Sequence, residues 1–191
     1  MLFHIKKDKD NRLNTDKLLK LSALLALAII MGYVEYLIPI PIGIPGIKLG
    51  LSNVVTLICL CLYSEKEAFL VLFLRIFLSG LLFGNFYSVL FGSMGGTLSF
   101  ICMFAAFMIN GRKSDGIFSI TGISMIGGVT HNIGQIVTAA FVINEVRVIY
   151  YLPVLMIAGL VTGALTGVLS VYVLRPLGGS TDQSFTGKDR I

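Results

Sequence analysis

Six long apolar stretches follow one another along the chain, near residues 18–38, 49–64, 67–84, 86–110, 117–143 and 150–174. Within each, apolar residues run on continuously and do not alternate with polar ones. That is the pattern of helices in lipid, not of barrel strands. The first stretch covers roughly 31 Å as a helix, about one bilayer core. The second is short, and the fifth is broken by glycines. Polar or irregular segments separate them: a Pro/Gly connection at Pro39, Pro41, Gly43, Pro45 and Gly46, then Ser64–Glu67, Gly84–Asn85, Asn110–Gly116 and Asn144–Arg147. Arg175 and Pro176 close the last stretch and a polar tail follows. The pattern predicts an all-α polytopic membrane protein with six transmembrane helices in one bundle. A basic cytoplasmic segment spans 1–17, the transmembrane domain 18–175 and a cytoplasmic tail 176–191.

Composition strengthens this reading. The 191 residues are 55% hydrophobic and only 13% charged, with a mean hydropathy of +0.89, whereas soluble domains carry about 25% charged residues. So little polar surface cannot cover the chain in water. The 21 glycines predict close helix contacts, and with no Trp an aromatic belt falls to Tyr and Phe. The first apolar run has no small-x-small cleavage site and reads as a span, not a signal peptide.

Charge gives an orientation. The net charge is +5, but Lys6, Lys7, Lys9, Arg12, Lys17 and Lys20 crowd the start of the chain as a cytoplasmic flank does, and no nucleic-acid-binding motif accompanies them. With the N-terminus inside, Lys66, Arg112, Lys113, Arg175, Lys188 and Arg190 also fall inside, leaving Lys48 and Arg147 outside. Both termini are therefore expected in the cytoplasm, and the Pro/Gly connection outside. Cys59, Cys61 and Cys102 lie in apolar stretches without zinc spacing and read as packing residues, so no metal is expected.

Ionisable residues within apolar spans require a physical reason. Three stand out: Glu35, Arg75 and His131. Glu35 shares a helical face with Ala28 and Gly32, which predicts an inward position; a side chain reaching the outer interface is the plainer reading. Arg75, near the middle of the third stretch, is expected to pair with Glu35, with carbonyl groups or with a bound anion. In the fifth stretch Ser124, Gly128, His131, Gln135 and Thr138 fall on one face, with Asn132 beside them. Such a stripe predicts either a pocket or interhelical hydrogen bonding. Gly159, Gly163 and Gly167, with Ala158, Thr162, Thr166 and Ser170 alongside, predict close packing within the bundle or against another subunit, as do Gly92 and Gly96.

Several chemistries lack their signatures. Gly43–Lys48 reads G-x-x-G-x-K and follows no strand, so it is not a nucleotide-binding loop, although Lys48 at a helix start suits an anionic ligand as well as an exposed surface. The sequence has no D-D-x-x-D, no H-E-x-x-H, no G-x-S-x-G and no ATPase motif. No enzymatic activity and no cofactor is expected.

Two segments, PGIKLGLSNV at Pro45 to Val54 and GGVTHNIGQ at Gly127 to Gln135, together with the six-stretch layout, resemble the Gx transporter family, also catalogued as heptaprenyl diphosphate synthase component I. That family is similar to the substrate-binding S components of energy-coupling factor (ECF) transporters. The resemblance covers roughly residues 18–175. It implies a six-helix membrane protein that binds a vitamin-like solute from outside, beneath a roof formed here by Pro39 to Lys48. It also implies partners: a transmembrane coupling subunit and ATPase subunits. Small residues on the first helix usually meet the coupling subunit as A-x-x-x-A; here Ser22, Ala26, Ala28 and Gly32 take those places. The second label implies instead a subunit of a long-chain prenyl diphosphate synthase.

The leading expectation is therefore an S component, in the cell membrane, importing a small anionic or vitamin-like solute. Its expected pocket comprises Lys48, Asn53, Arg75, His131, Asn132 and Gln135, with Glu35 positioning Arg75. The alternatives are an accessory membrane subunit of isoprenoid or quinone synthesis, and a stand-alone proton-coupled carrier relaying protons through Glu35 and His131.

Overall fold

The computed structural model describes residues 2–37, 48, 50–111 and 116–177. In these the chain forms six α-helices and one 3₁₀ helix: α1 Leu2–Leu37, α2 Asn53–Leu62, α3 Glu65–Leu82, α4 Phe86–Ile109, α5 Ile120–Ile143, the 3₁₀ helix Val146–Tyr151, and α6 Leu152–Leu177. The Pro/Gly connection at 39–47, Arg112, Lys113 and the tail at 178–191, which carries Lys188 and Arg190, lie outside the described residues. Four stretches are long and apolar enough to cross a membrane: Thr15–Leu37, Phe86–Ile109, Ile120–Ile143 and Val146–Pro176. Large apolar side chains are exposed along them, and also along α3 at Phe73 and Phe77. Patches of this extent are not left facing water. The chain has the make-up of a multi-pass membrane protein.

Local chemistry sets the helix ends. Ser64 and Glu67 form a capping box that starts α3 at Glu65, ahead of the boundary at 67 that hydropathy alone predicts. Asn85 caps α4 by accepting from the Ser88 N–H at 2.8 Å, and Ser119 caps α5 through the Gly122 N–H at 3.0 Å. Asn144 ends α5 in the left-handed conformation, φ 53°. Pro176 does not stop α6, which runs on to Leu177. The helix α1 begins at Leu2, so the basic segment 1–17 is largely helical. At 36 residues α1 is about 54 Å long and outreaches a bilayer core.

The second stretch departs most from expectation. Among the described residues of 49–64 ten are helical, about 15 Å or half a bilayer core. Gly50 adopts φ +86°, a conformation outside the helical range, and the helix starts only at Asn53. Apolar apart from Asn53 and Thr56, α2 is buried from Asn53 to Cys61 and touches α1, α3, α4, α5 and α6. It is the axial post of the bundle.

The other helices pack around it. Parallel helices α1 and α3 are tied by a Lys17–Glu67 ion pair at one end and by Tyr33 and Tyr36 against Phe83 at the other. Antiparallel α5 and α6 approach backbone to backbone: a Cβ on Gly163 would lie 2.7 Å from Met125 Cα, and one on Gly159 2.8 Å from the Gly128 oxygen. The glycine row of α6 therefore packs inside the bundle. Gly95 and Gly134 bring α4 and α5 together in the same way. The apolar core falls into two parts. One holds Val54 to Cys61, Leu72, Phe100, Met103 and Ile123; the other holds Phe91, Ile136, Ala139, Val148 and Leu155. A polar layer separates them.

Candidate functional site

The polar layer forms where α2 begins. Because α2 is half a span long and follows a tight turn, its N-terminus, with unsatisfied N–H groups and positive dipole end, lies at mid-depth in the bundle. Ser52, the N-cap residue, makes no side-chain cap. The carboxylate of Glu35 arrives from the end of α1 in its place. One carboxylate oxygen accepts the N–H of Gly50 and, at 3.2 Å, that of Leu51; the other accepts the Ser52 hydroxyl at 3.4 Å. Glu35 is only 2% exposed and faces inward, not toward the interface.

Arg75 enters from the middle of α3. One terminal nitrogen donates to Ser52 Oγ and the other to Asn53 Oδ1 at 3.2 Å. Among the described residues no ion pair joins Arg75 to Glu35 directly; Ser52 stands between them and bonds both. Asn53 Nδ2 continues the chain to Ser99 Oγ on α4 at 3.5 Å. Two polar atoms on this side of the layer, Arg75 Nε and Ser79 Oγ, have no partner among the described residues; across from them on α5, His131 Nδ1 has none either.

The third wall is α5. Gln135 holds the backbone of Lys48 from both sides, accepting its N–H at 2.9 Å and donating to its carbonyl at 3.1 Å. This pairing fixes the orientation of the amide. Its NH2 group also meets His131 Nε2. A lone pair is needed there, so His131 carries its proton on Nδ1. The ring lies against Gly50 and Gly95: a Cβ on Gly50 would approach its Cδ2 to 3.1 Å, and one on Gly95 its Cε1 to 3.2 Å.

These groups enclose a cavity of about 30 Å³ lined by Glu35, Lys48, Ser52, Arg75, Ser79 and His131, among others. It admits a water-sized group; anything larger requires the helices to part. Lys48 lies in the connection ahead of α2. Burial lowers its pKa from the ordinary lysine value, Glu35 opposes the shift, and Arg75 adds to it. A larger hollow of about 450 Å³ runs along the outward face of α6 between Val161 and Tyr172. Its lining is apolar apart from the Tyr172 hydroxyl, as suits a lipid-facing surface. Among the described residues no three His, Cys, Asp or Glu side chains converge as metal ligands.

The structure thus brings Glu35, Lys48, Asn53, Arg75, His131 and Gln135 together. Asn132 is apart from them: it faces α6 and donates to the Leu155 carbonyl at 2.6 Å. The polar stripe of α5 is buried throughout but divided in use. Ser124 meets Thr166 on α6 at 2.8 Å, Gly128 packs on Gly159, and Thr138 bonds its own helix at Gly134. Only His131 and Gln135 reach the cluster. Ser52 and Ser79 were not singled out by sequence. Ser52 lies inside the PGIKLGLSNV segment, and Ser79 is one turn beyond Arg75 on the same face, which is the signal that marks it. Of the four small residues on α1, Ser22 and Ala26 are exposed, whereas Ala28 is fully buried and Gly32 packs on Ser79 and Phe83. Expected as partner contacts, Ala28 and Gly32 are instead taken up inside the bundle.

A family model described as heptaprenyl diphosphate synthase component I matches residues 24–173. No curated protein and no solved structure matches the chain. The matched region runs from α1 into the last turns of α6 and contains every residue of the polar layer, so the chain belongs to the heptaprenyl diphosphate synthase component I family.

Proposed function

We propose that the protein is the substrate-binding membrane subunit, or S component, of an ECF-type ATP-driven importer of a small vitamin-like solute. The observation that carries this reading is the polar cavity at the start of α2. Six converging polar groups, buried at mid-depth in an otherwise apolar bundle, are costly unless they serve a ligand or an ion. In this reading the six helices form one bundle in the cell membrane with both termini cytoplasmic, and the cavity opens to the outside. The chain does no chemistry on the solute. ATP is hydrolysed by separate subunits, reached through a coupling protein that docks on the exposed Ser22–Ala26 face of α1. Because the cavity takes only a water-sized group, loading requires its walls to part, with the Lys48–Gln135 hydrogen bonds among the contacts that hold them together.

Affinity purification from gently solubilised membranes tests this. A stable complex with a transmembrane coupling protein and ATPases is expected. A complex with a soluble prenyl synthase and no ATPase would overturn it and favour a second reading, an accessory membrane subunit of isoprenoid or quinone synthesis, which the family's description supports. No paired-aspartate motif for diphosphate chemistry occurs in this chain, so in that second reading too the reaction belongs to the partner.

A further inference from the structure

Within the polar layer most hydrogen-bonding capacity is used internally. Glu35 is occupied by two backbone N–H groups and Ser52, and the two terminal nitrogens of Arg75 by Ser52 and Asn53. Among the described residues the Nδ1 of His131 on α5 is without a partner, and on α3 two further atoms remain, Arg75 Nε and Ser79 Oγ. Both residues are 4% exposed, both atoms lack partners, and both side chains line the cavity. Spaced i and i+4 on α3, they point the same way. A buried donor left unbonded carries its full desolvation cost, most of all on a charged group. The charges are also unbalanced: Arg75 and Lys48 face the cavity against a single carboxylate, Glu35. The half-span helix α2 directs its N-terminal end at the same place, the arrangement by which broken helices receive anionic groups in membranes. A ligand group that satisfies all of this accepts hydrogen bonds and carries negative charge.

We propose that the cavity, widened as its walls part, receives the anionic head of the solute, a carboxylate or phosphate group, with Arg75 Nε, Ser79 Oγ and the Lys48 ammonium as its donors. This rests on the importer reading for the word solute, but not for the site itself. Glu35 is a positioning residue in this arrangement. It fixes Ser52, which with Asn53 holds the guanidinium so that its Nε edge faces the cavity.

The test uses the full chain in nanodiscs of zwitterionic lipid, which removes anionic headgroups as competitors. Sodium acetate and sodium phosphate are titrated against sodium chloride at matched ionic strength, and the thermal unfolding midpoint is read. Saturable stabilisation by acetate or by phosphate beyond chloride is expected, and the more effective anion identifies the head. Ser79→Ala removes a buried hydroxyl that bonds nothing in the protein, so it should not lower the unliganded midpoint, and it should weaken anion binding about tenfold. Arg75→Gln should abolish it. If Arg75→Gln does not fold, Ser79→Ala decides alone. No saturable effect beyond chloride, or an effect unchanged by Ser79→Ala, overturns the proposal. A coupling-protein and ATPase complex without anion binding would sink the anionic head and spare the importer; anion binding without that complex would do the reverse.

Discussion

At the scale of single residues, Glu35 is the group on which the rest of the site hangs. It is a carboxylate used as a cap from a distance, supplying to the turn before α2 what Ser52 does not. Glu35→Ala leaves two buried N–H groups and the Ser52 hydroxyl without an acceptor, and is expected to destabilise the protein by about 3 kcal/mol. Glu35→Gln keeps one acceptor oxygen and should cost about 1 kcal/mol. Thermal unfolding in nanodiscs checks the order; equal midpoints for both variants and the native chain would remove Glu35 from this role. Lys48 gives a pH dependence. It is faced by Glu35 from α1, Arg75 from α3 and His131 from α5, and burial, opposed by Glu35 and reinforced by Arg75, lowers its pKa. Anion binding needs the charged form, so affinity for acetate or phosphate should fall as pH rises through this lowered pKa, earlier than for an ordinary lysine. Folding stability without the anion moves in the opposite sense: the unfolded chain holds the proton to higher pH, so stability rises over the same interval. Lys48→Met should flatten both curves, and a binding curve with unchanged pH dependence in that variant would rule the lysine out.

At the scale of elements, the glycines divide into those that admit a backbone and those that merely neighbour a side chain. A Cβ on Gly128 would meet the Gly159 backbone, which cannot move without separating α5 from α6, whereas on Gly92 it would meet only Ile76 Cγ2 at an ordinary 3.5 Å. Gly128→Ala is therefore expected to destabilise the fold by about 1–3 kcal/mol and Gly92→Ala by less than about 0.5 kcal/mol, again read from unfolding midpoints. The helices themselves were legible in the sequence because uninterrupted apolar runs leave few alternatives in lipid. The length of α2 was not. Hydropathy sees Gly50 to Ser52 as part of a span, but the left-handed Gly50 and the Glu35 carboxylate, fifteen residues before it, hold these residues as a turn ahead of the helix. Likewise the α5 stripe was legible as buried, while its division between helix packing and the cluster depends on which neighbour each residue meets, and periodicity carries no information about neighbours. Arg75 and Glu35 were recognisable as a charged couple; the serine between them was not, because an apolar span hides a single hydroxyl.

At the scale of the whole molecule, the polar layer divides the apolar core in two, and the division follows from topology. Because α2 is only half a span long and α3 returns directly from it, Ser52 and Asn53 at the start of α2 lie at mid-depth, with Lys48 held beside them by Gln135. Arg75, ten residues into α3, stands about 15 Å from that helix's start, the same depth that α2 reaches from the shared turn. A site at mid-depth can be reached from one side only if the bundle has a fixed orientation. The bias of Lys and Arg predicts an orientation to be tested: Lys66, in the turn between α2 and α3, and both termini on the cytoplasmic side, with Val146, after α5, on the other. Single cysteines at Lys66 and Val146, both exposed, on a background in which Cys59, Cys61 and Cys102 are replaced, make this measurable. A membrane-impermeant thiol reagent added to intact cells should label Val146→Cys at once and Lys66→Cys only after the membrane is opened. The reverse pattern would turn the bundle over and point the cavity at the cytoplasm. Labelling of both from outside would mean that α3 and α4 do not return through the bilayer as a hairpin, and the mid-depth placement of Arg75 would fall with it.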